Sequence, residues 1–114
     1  MSECKCMNPP FEGDVFRWQE VGTDMTFARY GEVKLATCNT CGSLWVRYFI
    51  EDEAFSRSGR WFMGQISKET ADTLTPENAV DIINSLEWHY CGGSYYSSAG
   101  FRSTHKPIKV DLFG

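Results

Sequence analysis

The sequence predicts an α+β domain in which an antiparallel sheet is crossed by one main helix. Three observations lead there. Two apolar stretches, residues 33–37 and 43–50, flank Cys38-Asn-Thr-Cys41-Gly42 as the arms of a hairpin flank its turn. Residues 15–21 alternate, with Phe16 and Trp18 on one side and Arg17 and Gln19 on the other. Thr75, Pro76 and Glu77 then precede Ala79, Ile82, Ile83 and Leu86 at helical spacing. Strands gathered ahead of a helix, with room for a last strand after it, fit an α+β arrangement.

In chain order, residues 7–13 contain Pro9, Pro10 and Gly13 and read as a loop. The alternating strand over 15–21 is expected to break at residues 22–24. Residues 25–30 are expected to form a second strand, with a turn at Gly31 and Glu32 leading into the arm 33–37. The stretch 44–50 is apolar on both faces except at Arg47, which places it centrally in the sheet. An exposed turn over 56–60 leads to a strand over 61–66, where Gly64 marks a bulge or a close approach. Residues 67–74 are polar and read as a connection. In the helix, Thr75 is the expected N-cap, Pro76 the first helical residue and Glu77 a favourable charge in the first turn. Its stripe, Ala79, Ile82, Ile83 and Leu86, is expected to cover one face of the sheet. Residues 88–100 are rich in glycine, tyrosine and serine without a clear period, and residues 108–113 are expected to add a last strand.

The 114 residues, 42% of them hydrophobic, suit one domain over 1–114, with a metal-binding element formed by 4–6 and 38–41. The first ten residues lack the apolar run of a signal peptide, and no segment approaches the roughly 18 apolar residues of a membrane span, so the expected location is the cytoplasm and no membrane partner is expected. The net charge of −4 argues against a nucleic-acid partner, which needs a basic face. Arg47, Arg57, Arg60 and Lys68 are the candidates for a local basic patch. Aromatic residues make up 15% of the chain, and Trp18, Trp45, Trp61 and Trp88 are expected mainly in the core, with some rings left for a binding surface.

Five cysteines fit four ligands and a spare better than a closed disulfide framework. Cys4 and Cys6 form one close pair, Cys38 and Cys41 the other, and Cys91 is the spare. Two such pairs can converge on one metal ion, and Gly42 can take the left-handed conformation that ends a Cys-x-x-Cys turn. Four thiolates suit a closed tetrahedral site, so the expected role is structural and the expected metal Zn²⁺, with iron as the alternative. Zinc-binding energies of about 10–16 kcal/mol in small zinc peptides, against a total of about 5–15 kcal/mol for an ordinary domain, would make such a site decisive for folding.

Cys38-Asn-Thr-Cys41-Gly42 followed by a strand resembles the metal knuckle of zinc-ribbon and rubredoxin-like proteins. The resemblance spans the cysteine pairs and their flanking strands. It implies a four-cysteine site built from two hairpin tips, and carries a fold motif rather than an activity. The first pair here is Cys-x-Cys where a ribbon usually has Cys-x-x-Cys, and the interval between the pairs is longer than in a compact ribbon.

Other uses of these residues stay open. A redox disulfide at Cys38 and Cys41, or an electron-carrying iron held by the same four cysteines, would make the protein an oxidoreductase, although thioredoxin-like pairs open a helix and this one opens a strand. Cys91 and His89, two apart beside Gly92 and Gly93, are the weak catalytic candidates, since a thiol nucleophile needs a nearby base. A buried thiol among aromatics is the plainer reading of Cys91. His105 reads as a surface residue. Tyr95 and Tyr96 have the composition of a recognition surface or of a packed loop. With no convincing catalytic constellation, the expected function is binding: a small adaptor, regulatory or toxin-neutralising domain that meets a protein partner. A nucleic-acid-binding ribbon is a further alternative, and an exposed strand leaves room for a homodimer.

Overall fold

The computed structural model describes residues 4–7, 9, 11, 13–26, 30–51, 58–104, 107 and 108. Among the described residues, six strands form one antiparallel sheet: β1 (Phe16–Asp24), β2 (Gly31–Cys38), β3 (Leu44–Ile50), β4 (Arg60–Ile66), β5 (Trp88–Gly93) and β6 (Ser98–Thr104). Their spatial order is their sequence order, so each strand pairs with the next along the chain. Two short helices, α1 (Lys68–Thr73) and α2 (Ala79–Ser85), fill the connection from β4 to β5.

Alternation along the strands creates two buried faces. Val33, Val46, Tyr48, Ile50, Phe62 and Cys91 point to one face, where Ala79, Val80 and Ile83 of α2 close over them. Ala36, Cys38, Trp45, Met63 and Tyr90 point to the other, which Cys6, Phe11 and Val15 cover. Cys6 and Cys38, with Cys4 packed against them, therefore belong to a second core opposite the helices, and Cys41 is exposed at its edge. β3 supplies both faces and lies between β2 and β4, as its sequence predicts.

Several expectations are corrected. The helical part is two short helices rather than one. Within residues 67–74 the helix α1 forms, because the Ser67 side chain caps it, accepting from the Thr70 amide at 3.2 Å. At α2, Thr75 and Asn78 bond reciprocally, Asn78 N–H to Thr75 Oγ1 at 3.2 Å and Thr75 N–H to Asn78 Oδ1 at 2.8 Å. This capping-box pairing organises the Pro76–Asn78 turn, so the regular helix begins only at Ala79.

β1 does not break at residue 22 but runs on to Asp24, because a bulge between Glu20 and Gly22 absorbs one residue. Gly22 sits there at a φ of 148°. No strand forms at the described ends of 25–30. The Thr26 amide turns back to Asp24 Oδ1 at 2.9 Å, and Tyr30 adopts a φ of 55°. Gly31 begins β2 rather than a turn.

Residues 88–100, which lack a period in the sequence, are β5, a 3-10 turn at Ser94–Tyr96 and the start of β6. His89, Tyr90, Cys91 and Gly92 of β5 are all buried, so no polar alternation is available to mark that strand. Gly64 is a close approach and not a bulge: it keeps register opposite Val46, and a methyl group there would strike Leu86.

Of the last expected strand only Ile108 is described, buried under the helices with its amide donating to Asn84 Oδ1 at 2.8 Å. Residues 109–113, His105, Arg57 and the first half of the 56–60 turn lie outside the described residues. Among the described residues, no helix is long and apolar enough to cross a membrane.

Candidate metal centre

Cys4 and Cys6 bracket Lys5 at a single 3-10 turn, Lys5–Met7. A set of contacts holds this turn against the sheet. The Tyr90 hydroxyl donates to the Met7 carbonyl at 2.8 Å, and Arg102 Nη2 donates to the Tyr90 oxygen at 3.4 Å. The Arg102 guanidinium lies 4.3 Å from the centre of the Trp88 ring, a cation–π contact. Phe11 packs edge-on against Phe16 and Tyr90, with ring centres 5.1 and 5.6 Å apart.

Cys38 ends β2, and Cys41 lies in the turn to β3. Antiparallel pairing brings the two arms together, and the Cys38 amide donates to the Ser43 carbonyl at 2.9 Å to close the loop. The Gly42 amide donates to the Cys38 carbonyl at 2.9 Å. Gly42 itself has a φ of 76°, the left-handed conformation expected of it. Asn39 ties the turn to the start of β1, its amide donating to the Val15 carbonyl and its side chain to the Asp14 carbonyl, both at 2.9 Å.

These two pieces of chain bring the four sulfurs together: the Sγ atoms of Cys4, Cys6, Cys38 and Cys41 all lie within 4.8 Å of one another. Two cross-element pairs are closest, Cys4–Cys38 at 3.4 Å and Cys6–Cys41 at 3.6 Å. A disulfide bond needs about 2.05 Å, and all five cysteines are free. Around a zinc ion with bonds of about 2.3 Å, tetrahedral sulfurs stand about 3.8 Å apart. The observed cluster straddles that spacing. No geometry beyond the sulfur positions is needed to see that the donor set fits a soft or borderline metal.

The sulfurs differ in environment. Cys6 and Cys38 are buried, Cys4 is partly buried and Cys41 is exposed. Burial pushes the Cys6 thiol up to about 12, with the Ser43 hydroxyl only partly offsetting it. At Cys41 the Ser43 hydroxyl and then the Ser43 amide draw the thiol down to about 6. At Cys38 burial opposes ionisation, but the amides of Cys41 and Thr40 outweigh it and lower the pKa. A cation at the centre would supply what Cys6 lacks, because metal binding displaces the thiol protons.

Ser43 is the neighbour that sequence reasoning missed. Its Oγ lies 3.1 Å from Cys41 Sγ and 3.5 Å from Cys6 Sγ, and accepts the Trp45 Nε1–H at 3.0 Å. The available signal was its place directly after Cys-x-x-Cys-Gly, where the returning strand passes the sulfurs.

The structure does not bring His89 and Cys91 to this cluster. Both are buried on the helix-side face of β5, His89 with its ring 6.2 Å from that of Phe62. Burial lowers the His89 pKa and pushes the Cys91 thiol up to about 11, with a weak counter-effect from Ser103. The candidates for a basic patch are dispersed. Arg47 is wedged between Trp18 and Phe49, its guanidinium 5.8 and 5.2 Å from their ring centres. Arg60 is buried against Tyr95 on the opposite face, and Lys68 pairs with Asp72 at 3.6 Å on α1.

No family model matches the chain, and no curated protein or solved structure matches it. The site therefore stands on its own geometry. Its first cysteine pair comes from a 3-10 turn and not from a second hairpin tip, so only the Cys38–Cys41 half has the form of a ribbon knuckle.

Proposed function

We propose that Cys4, Cys6, Cys38 and Cys41 hold one Zn²⁺ as a structural staple, and that the domain so stabilised is a binding module for a protein partner, in an adaptor, regulatory or toxin-neutralising role. The observation that carries the metal reading is the convergence of four sulfurs within 4.8 Å from two chain segments far apart in sequence. Four protein thiolates leave no open position, which suits a structural rather than a catalytic ion. The ion would pin the N-terminal turn over Trp45, Tyr90 and Met63, completing a core that the sheet alone leaves uncovered on that side.

The binding part of the reading is supported by the surface. Trp18, Met25, Tyr30, Tyr95 and Phe101 are 38–60% exposed, and aromatic residues and methionine are enriched where proteins meet. The net charge of −4 and the scattered, stacked arginines favour a protein over a nucleic acid. Burial of His89 and Cys91, with the thiol held protonated, speaks against cysteine catalysis on β5.

Removal and return of the metal tests the structural role. Chelation in reducing buffer should abolish the near-ultraviolet circular dichroism of the packed tryptophans, and added Zn²⁺ should restore it. A signal that survives complete removal of metal would reject the staple. For the partner, direct binding to single-stranded or duplex nucleic acid at low salt would overturn the protein-binding reading.

A further inference from the structure

The four sulfurs are not equally protected. Cys6 is 1% exposed and Cys38 2%, both beneath the aromatic cluster, whereas Cys41 is exposed at the apex of the β2–β3 turn. Solutes therefore meet Cys41 Sγ before they meet the sulfurs of Cys6 and Cys38. Its close sulfur neighbour across the cluster is Cys6, at 3.6 Å, on a different chain segment. The space beside the turn is open on the Gly42 side, where nothing lies within 4 Å of the position a Cβ would take.

We propose that Cys41 is the point at which a hydroperoxide opens this site, and that the product is a Cys6–Cys41 disulfide with the metal set free. The proposal rests on the zinc reading above and adds a means of regulating that site. In the first step the Cys41 sulfur attacks the peroxide O–O bond. An S–O bond forms, the O–O bond breaks, and the leaving oxygen takes a proton from solvent to depart as an alcohol or water. In the second step the Cys6 thiolate attacks Cys41 Sγ. The S–S bond forms, the S–O bond breaks, and hydroxide leaves and is protonated to water. The two thiolates lose two electrons in all, and these reduce the peroxide. Cys6 and Cys41 are then no longer available as thiolates, and Cys4 and Cys38 alone would not retain the cation.

Cross-linking Cys6 to Cys41 replaces one tether between the N-terminal turn and the hairpin tip with another. Closing 3.6 Å to about 2.05 Å is a local adjustment at the surface turn. Oxidation then releases metal while the N-terminal turn stays cross-linked to the hairpin tip, whereas chelation under reducing conditions leaves that turn only its packing and the Tyr90–Met7 hydrogen bond. A thiol reductant with added metal reverses the change.

The test uses the full-length protein, purified reduced, with its metal counted before any oxidant is added. Hydrogen peroxide is then titrated in the presence of a chromophoric metal indicator, and the product is digested with trypsin. Cleavage after Lys5 and Arg17 isolates Cys6, while Cys38 and Cys41 share the peptide ending at Arg47; fragmentation between them assigns the partner. The proposal expects one metal ion released per equivalent of peroxide consumed, a Cys6–Cys41 cross-link, and near-ultraviolet dichroism that persists. The Cys91→Ser variant should respond in the same way.

A disulfide within the Cys38–Cys41 peptide, first oxidation at another cysteine, or metal retained while peroxide is consumed would overturn it. A protein that holds no metal before oxidation instead fails the zinc reading, and the cross-link map still decides the sulfur chemistry. Cys41→Ser should lose the rapid peroxide response. If that variant does not fold, the mapping on the native chain stands as the deciding result.

Discussion

The Ser43 Oγ lies 3.1 Å from the sulfur of Cys41 and at the same time accepts the Trp45 indole N–H at 3.0 Å. With Trp45 wholly buried, its side chain acts as a fixed strut under the most exposed of the four clustered cysteines. Such outer contacts fix the orientation and basicity of a metal ligand. Ser43→Ala should therefore leave the fold intact but weaken zinc affinity by about tenfold or more. Competition with a chelator of known affinity reads this out, and an unchanged affinity would show that Ser43 only packs beside the site.

On the opposite face, the Tyr48 hydroxyl donates to Asp24 Oδ2 at 2.7 Å, with both residues completely buried. Removing that donor takes a hydrogen bond from a side-chain carboxyl group that is fully buried. Tyr48→Phe should cost about 1–3 kcal/mol. Urea unfolding measures it, and metal stoichiometry should not change because the bond lies across the sheet from the cysteines.

Gly31 is part of the same arrangement, because a Cβ there would overlap the Tyr48 ring and hydroxyl. The ring is anchored by packing and by Asp24, so it has no room to yield. Gly31→Ala should destabilise the protein by about 1–3 kcal/mol, in the manner of an overpacked core. Pairing it with Tyr48→Phe should give less than the sum of the two losses, since both act on one ring.

The sequence revealed those parts of the fold in which the two faces of an element differ, or in which a turn carries its own punctuation. β3 appears with the bounds expected of it, and the stripe Ala79, Ile82, Ile83 and Leu86 packs on the sheet as its spacing requires. Cys38, Cys41 and Gly42 announce their turn because both ligand spacing and backbone conformation demand it. β5 was hidden because burial on both sides erases alternation, and β6 because Ser98, Ala99 and Gly100 have little strand preference of their own. The length of β1 depends on a bulge at Gly22 that a local reading takes for a stop. The convergence of Cys4 and Cys6 on the hairpin tip was legible as chemistry, but their 3-10 turn is set by tertiary contacts such as Tyr90 to Met7.

His89 gives the protein a dependence on acid. Burial lowers its pKa in the folded state below the ordinary value of 6.5. Above that value folded and unfolded chains both hold it neutral, and its contribution is constant. As pH falls below about 6.5, the unfolded chain takes up the proton first, so stability declines until the folded pKa is reached. His89→Gln should flatten this part of the curve. Urea midpoints at about pH 7 and about pH 5.5, with metal content checked at each, separate this effect from proton competition for the thiolates. An equal slope in the variant would mean that His89 contributes nothing to it.

The most direct test of the central claim is the metal content of the purified protein, determined together with its reactive thiols before and after chelation. One zinc per chain, with thiols that become reactive only as chelation removes it and the tertiary structure is lost, is the expected result. A metal-free, folded protein with a reversible Cys38–Cys41 disulfide would contradict the account and point to an oxidoreductase.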